Sequence, residues 1–143
     1  AEARKEFSQP LGFGGDYHGL EDFAQGIMKQ VGTVLAPDAG RIGGVTMLQR
    51  TADLAQQAKL KVAPVVKGGP LSLLTVARAL SGREEVLWVT SPYQEEWLKE
   101  DGVLKHPLRM EKGLLVSESC ELDETKFQVK RIAQLETKTG EKK

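Results

Sequence analysis

Short apolar, β-branched runs alternate with stretches of helical periodicity between about Gln9 and Thr90, and that alternation limits the fold more than any other feature. The candidate strands are "QPLGFGG", Thr33–Pro37, Leu60–Val66 and Glu85–Thr90. Between them, Gly19–Val31 carries Leu20, Phe23, Ala24, Ile27, Met28 and Val31 at helical spacing, with Glu21 and Asp22 placed to suit the helix dipole. A second helix is expected from a Thr46 cap to about Lys59, with Leu48, Ala52, Ala55 and Ala58 on its inner face. A third runs over Leu71–Gly82, closed by Gly82, after a "KGGP" turn. The order βαβαβαβ implies parallel pairing with helices over the sheet. The strand runs are apolar at both parities, as expected when both faces of a sheet are buried.

Beyond that pattern the chain changes character. Residues 1–92 form the βα units. Residues 93–135 read as a C-terminal extension packing on those units or on a partner, with a hairpin around Lys112-Gly113 and a helix over Asp123–Leu135. Residues 136–143 read as a disordered, solvated tail. Lys plus Arg and Asp plus Glu both number 20, and this balance argues against a nucleic-acid or membrane-surface role. No apolar run approaches the ~20 residues of a membrane span, so no transmembrane segment is expected. The lone Cys120 can form no internal disulfide, reads as a small buried residue, and suits a reducing compartment. The chain begins at Ala1 without Met, which fits a leader either removed or left out. The expected location is intracellular, soluble or peripheral, with a mitochondrion or other organelle as one setting.

Asp38, at the end of an apolar run, is the residue placed to do chemistry. The segment "APDAGRIGGVTMLQRTADLAQQ" resembles the part of the enolase superfamily barrel, mandelate-racemase type, where a strand-end Asp precedes R/K-x-G-G-[I/V]-T. The similarity runs from about Pro10 to about Phe127. "PLGFGGDYHGLEDF" is similar to the family's metal-ligand strand, and "HPLRMEKGLLV" to its late hairpin, which returns to a capping domain. The resemblance implies a capping domain plus a (β/α)7β barrel, of which this chain matches about strands five to eight. The expected fold is therefore α/β: a partial, half TIM-type barrel of about four parallel strands and three helices, plus a C-terminal hairpin and helix extension.

The same resemblance implies losses. The first half of the family barrel supplies the catalytic lysine pair and two of three Mg²⁺ carboxylates. The third, a Glu, falls on Gly15, and the His that partners the strand-end Asp falls on Val65. The acid near the end of the last strand falls on Thr90 or a neighbour. Proton abstraction beside a carboxylate needs a tuned base and a metal for the developing enediolate. No catalytic residue, metal or cofactor is therefore expected, and Asp38 remains as a remnant that caps the Gly43-Gly44 turn.

Two other sites stay open. Asp16, His18 and Asp38 form a substitute ligand set, and Lys67, Gly68 and Gly69 are candidates to cradle a phosphate. Trp88 is expected in the core, and Tyr93 and Trp97 either anchor an interface or pack locally. Half a barrel cannot close, so its sheet edges and lumen face call for other protein chains as partners. The leading expectation is a non-catalytic, degenerate half-barrel acting as a structural or accessory subunit of a larger, organellar complex. One alternative is a chain of a split Mg-dependent acid-sugar dehydratase or racemase; a second is a small-ligand or phosphate-binding module.

Overall fold

The computed structural model describes residues 8–89, 104–106, 108–112, 114–116 and 121–123. The chain divides into two units, residues 1–93 and 94–143. In the first, β1 (Gly12–Phe13), β2 (Val34–Leu35) and β3 (Lys61–Val62) form a parallel sheet in sequential order. Helices α1 (Leu20–Met28), α2 (Val45–Gln57) and α3 (Pro70–Ala79) follow the three strands in turn.

The register sets Phe13 against Leu35 and Leu35 against Val62. All three side chains are buried, and with Phe23, Leu48, Ala52, Ala55, Leu73 and Leu74 they supply much of the core. Phe13, Tyr17 and Phe23 meet edge-on or tilted, with ring centroids 5.1–6.4 Å apart.

The first two helices end by the same device. After α1, Gln30 turns left-handed (φ 51), its N–H donates to the Ile27 carbonyl, and the Val31 N–H donates to Gly26. After α2, Lys59 (φ 55) donates to Gln56, and Leu60 donates to Ala55. Each is a Schellman closure with an apolar residue just beyond it, delivering the chain directly into the next strand. At the start of α1, Asp22 accepts the His18 N–H at 2.9 Å.

Several expectations need correction. The cap of α2 is Gly44, at φ 87, and not Thr46. Pro70 is the first residue of α3, where its missing N–H costs nothing, so "KGGP" ends inside a helix. Met28 is 82% exposed, because α1 buries only Phe23 and Gly26 fully. Trp88, expected in the core, is 58% exposed.

The expected fourth strand is reduced to one parallel bridge, Val62 to Val86. The Val62 N–H donates to Glu85 and its carbonyl accepts from Leu87. The next inward rung would need an N–H from Pro64, which has none, so the ladder stops. On the other side of β3 the rungs continue, from Lys61, Ala63 and Val65 to Thr33, Leu35 and Pro37.

Glu85 is buried beside Arg83, which also reaches Asp53 on α2. Burial pushes the Glu85 carboxyl up, but the hydrogen bond from Arg83, a backbone hydrogen bond and the Arg83 charge outweigh it and hold the group below its ordinary value.

In the second unit, β4 (Arg109–Glu111) and β5 (Leu114–Val116) form the expected hairpin, with Lys112 at φ 52 in the reversal. Leu104 and Leu122 make an antiparallel bridge, flanked by a Lys105–Glu121 ion pair at 2.8 Å. Thr90, Tyr93, Trp97, Cys120, the 124–135 part of the expected helix and the 136–143 tail lie outside the described residues. Among the described residues no helix is long and apolar enough to cross a membrane.

Two stability predictions follow from the packing. A Cβ on Gly32 would strike the Leu11 carbonyl and come within 2.8 Å of the Phe13 ring. Gly32→Ala should therefore destabilise the fold by about 1–3 kcal/mol in chemical denaturation. Because folding lowers the Glu85 pKa, its stabilisation is full above the ordinary value of 4.5 and is lost as pH falls through the lower folded value. Glu85→Gln should cost about 1.5–3 kcal/mol at pH 7, with the gap from the parent closing in acid.

Candidate functional site

The site forms where β2 and β3 end. Both runs continue as Ala-Pro, Ala36-Pro37 and Ala63-Pro64, before pairing resumes in a single parallel bridge between Asp38 and Val65. Asp38 therefore stands at the C-terminal end of the sheet, the end at which βα barrels build their sites. Its neighbour on the next strand is Val65, the position that the resemblance assigned to a histidine.

Asp38 is 94% buried, with a relative exposure of 6%. Its Oδ1 accepts the Gly40 N–H at 3.0 Å, and its carbonyl accepts the Arg41 and Ile42 N–H groups, both at 3.0 Å. Asp38 thus caps the start of its own loop, while the Gly44 N–H donates to the Ala39 carbonyl and not to Asp38. Its Oδ2 faces two cations: Arg41 Nε at 3.8 Å and Lys67 Nζ at 3.7 Å. Arg41 also reaches Asp16, Nη1 to Oδ1 at 3.2 Å.

Of the substitute ligand set, Asp16 and Asp38 are joined through a guanidinium. His18 uses its backbone on Asp22 instead. Among the described residues no three His, Cys, Asp or Glu side chains gather into a metal-holding group. The Mg²⁺ that the resemblance implies does not fit these residues. A hard cation needs several converging oxygens, whereas Gly15 brings no carboxylate, Val65 no imidazole, and the free edge of Asp38 faces positive nitrogen.

Lys67 and Gly68 border the same cavity, and Gly69 caps α3 without a side-chain hydrogen bond. A Cβ on Gly68 would collide with the Ser72 hydroxyl, so glycine is required for that approach. The cavity, about 520 Å³, lies among Asp38, Arg41, Val65, Lys67, Ser72 and Val76 with neighbouring loop residues. Arg41 and Ser72 were not singled out from sequence. The signal for Arg41 was its spacing three residues after a strand-end acid; Ser72 had none.

Residues 1–119 match the family described as enolase C-terminal domain-like. No curated protein matches the chain. Among solved structures, it is similar to a protein of Labrenzia alexandrii DFL-11 assigned to the mandelate racemase/muconate lactonizing enzymes. That pair has 20% identity and a TM-score of 0.72, over 94% of this chain and 35% of the other. It is also similar to L-talarate dehydratase from Polaromonas sp. JS666, complexed with Mg and L-glucarate, at 24% identity and TM-score 0.61, over 80% and 28% of the two chains. A third is an enolase from Pseudomonas fluorescens Pf0-1 with bound magnesium, potassium and tartrate, at 17% identity and TM-score 0.70, over 97% and 34%. These likenesses show the fold alone, and the chain spans only about a third of the length of the structures it matches. With the family match extending over residues 1–119 and an α/β fold of three parallel strands and three helices, the chain belongs to the enolase C-terminal domain-like family.

Proposed function

We propose that this chain is a non-catalytic, half-barrel member of its family that serves as a structural or accessory subunit of a larger assembly. One observation carries the loss of catalysis: Asp38 faces Val65 across the parallel bridge and is held between Arg41 and Lys67. A general base needs a carboxylate or imidazole free to take a proton and within reach of it. Here Asp38, the acid at the end of β2, is held by two cations and by its own loop. The accessory role draws support from the sheet. Among the described residues, β1 has no strand on its outer side, and Val86 has none beyond it. Leu87 and Trp88, on that second edge, are 40% and 58% exposed. Unpaired edges beside apolar surface invite another chain.

A split acid-sugar dehydratase or racemase is the competing reading. Asp38 itself favours it, since an acid still stands at the strand end, as do the enzymes among the similar structures. Proton exchange at the carbon beside a carboxylate separates the two. When the chain is incubated with Mg²⁺ and a panel of acid sugars in D2O, the sugars should incorporate no deuterium beside the carboxylate, as followed by proton NMR. Mg²⁺-dependent incorporation that is abolished in Asp38→Asn would overturn the non-catalytic reading. The partner claim has its own test. Native mass spectrometry after gentle purification should find the 15.7 kDa chain in a heavier assembly; a stable, partner-free monomer would remove the accessory role.

A further inference from the structure

We propose that a second copy of this chain completes the sheet. The outer edge of β1 in one copy pairs in parallel with the Val86 position of the other, and a two-fold axis along the strands closes both copies into one ring. The inference rests on the reading of the chain as a subunit and names its partner.

The two edges are complementary in their backbone groups. Along a parallel strand, successive residues turn their N–H and C=O groups to opposite sides, one neighbour and then the other. On β1 the carbonyls of Leu11 and Phe13 accept from Thr33, Val34 and Ala36, so the N–H and C=O of Gly12 face away from β2. Beyond β3, Glu85 and Leu87 meet Val62, so the alternation turns the Val86 carbonyl and the Trp88 N–H outward on the opposite edge. Placed level with Leu87 of a second copy, Gly12 donates to the Val86 carbonyl and accepts from the Trp88 N–H. Val62 makes the same rung with Glu85 and Leu87 inside the chain. The new rung has defined ends. Pro10 has no N–H for the rung before it, and the Gly14 carbonyl already accepts from Tyr17 at 3.1 Å.

The side chains agree with this pairing. Gly12 is exposed, and among the described residues a Cβ there would meet only the Val34 carbonyl, at an ordinary 3.9 Å. The chain's own packing does not require glycine at this place, whereas the close approach of another backbone favours it. Leu87 and Trp88, the residues brought beside it, are exposed large apolar side chains. Burying them supplies most of the contact's stability, because one backbone rung contributes little. The strands β1, β2 and β3 with the Val86 bridge give four positions in each copy, and two copies reach the eight at which a parallel ring fills its interior with side chains. The two-fold axis makes the same contact at both junctions and leaves no open edge. With 20 acidic and 20 basic residues, the copies carry no net charge to drive them apart.

The test is native mass spectrometry of the full chain purified alone, which should show a dimer at twice the 15.7 kDa of the chain. Gly12→Pro removes the outward N–H on one edge, and Trp88→Glu places a charge on the other. Each should raise the dimer dissociation constant roughly tenfold or more while circular dichroism stays unchanged. Cross-linking checks the register. One population carries Gly12→Cys, another Leu87→Cys, and both carry Cys120→Ser. After subunit exchange, a short bismaleimide should join chains in the mixture and in neither population alone. The inference is overturned if the purified chain is monomeric, if both edge variants dimerise as the parent does, or if cross-links form within a single population or fail in the mixture. A chain that is monomeric alone but joins an assembly of other proteins strikes only the second copy and keeps the subunit reading. A monomer under both conditions strikes both.

Discussion

The row Phe13, Leu35 and Val62 is the constraint on which the first unit depends. Three apolar side chains lie level on adjacent parallel strands, and each must be covered. Parallel strands cannot be joined by tight turns, so the chain must return across the sheet each time. Using that return as an amphipathic helix satisfies both needs at once. Burying a side chain such as Leu35 contributes roughly 1.5–3 kcal/mol, against which the ordering of each crossover must be set. The Schellman closures at Gln30 and Lys59 shorten those returns, because the residue that completes each closure is already the approach to the next strand. Neither uses glycine at its left-handed position, so both accept local strain in exchange for position.

Proline then determines where the sheet stops and the site begins. Pro37 and Pro64 occupy equivalent places on neighbouring strands, both almost fully buried. Between β2 and β3 the rungs that remain come from residues 61, 63 and 65, whose N–H groups face the right way. On the far side the missing Pro64 donor cuts the fourth strand to a single bridge. Trp88 falls beyond that break and is left largely in solvent, where a fuller strand would have placed it against a neighbour.

The electrostatics at Asp38 follow from its position. A carboxylate 94% buried has lost most of its hydration and needs ionic or hydrogen-bonding partners in its place. In a metal-dependent relative the partner would be an ion shared with other acids. Here the partners are covalent parts of the chain, Arg41 from the loop after β2 and Lys67 from the loop after β3. These contacts hold the acid in place at the end of the sheet, and Arg41 links it in turn to Asp16.

The sequence by itself determined the class of fold. Alternating β-branched runs and helical periodicity dictate a parallel α/β layer, because that order of elements has few other ways to bury its apolar faces. The glycines after Asp38 and after Val66 were equally legible, since glycine readily supplies the backbone angle seen at Gly44 and the close approach seen at Gly68. Asp38 as a strand-end acid, with Val65 level with it, could also be read, because strand register is periodic. What only the tertiary structure decided was who surrounds that acid. Lys67 lies 29 positions away and Asp16 lies 22 away, and no local pattern says that Arg41 will bridge one acid to the other. The length of the fourth strand was hidden for the same reason: the Pro64 that ends its pairing belongs to a different strand, and its missing N–H matters only once the two lie side by side.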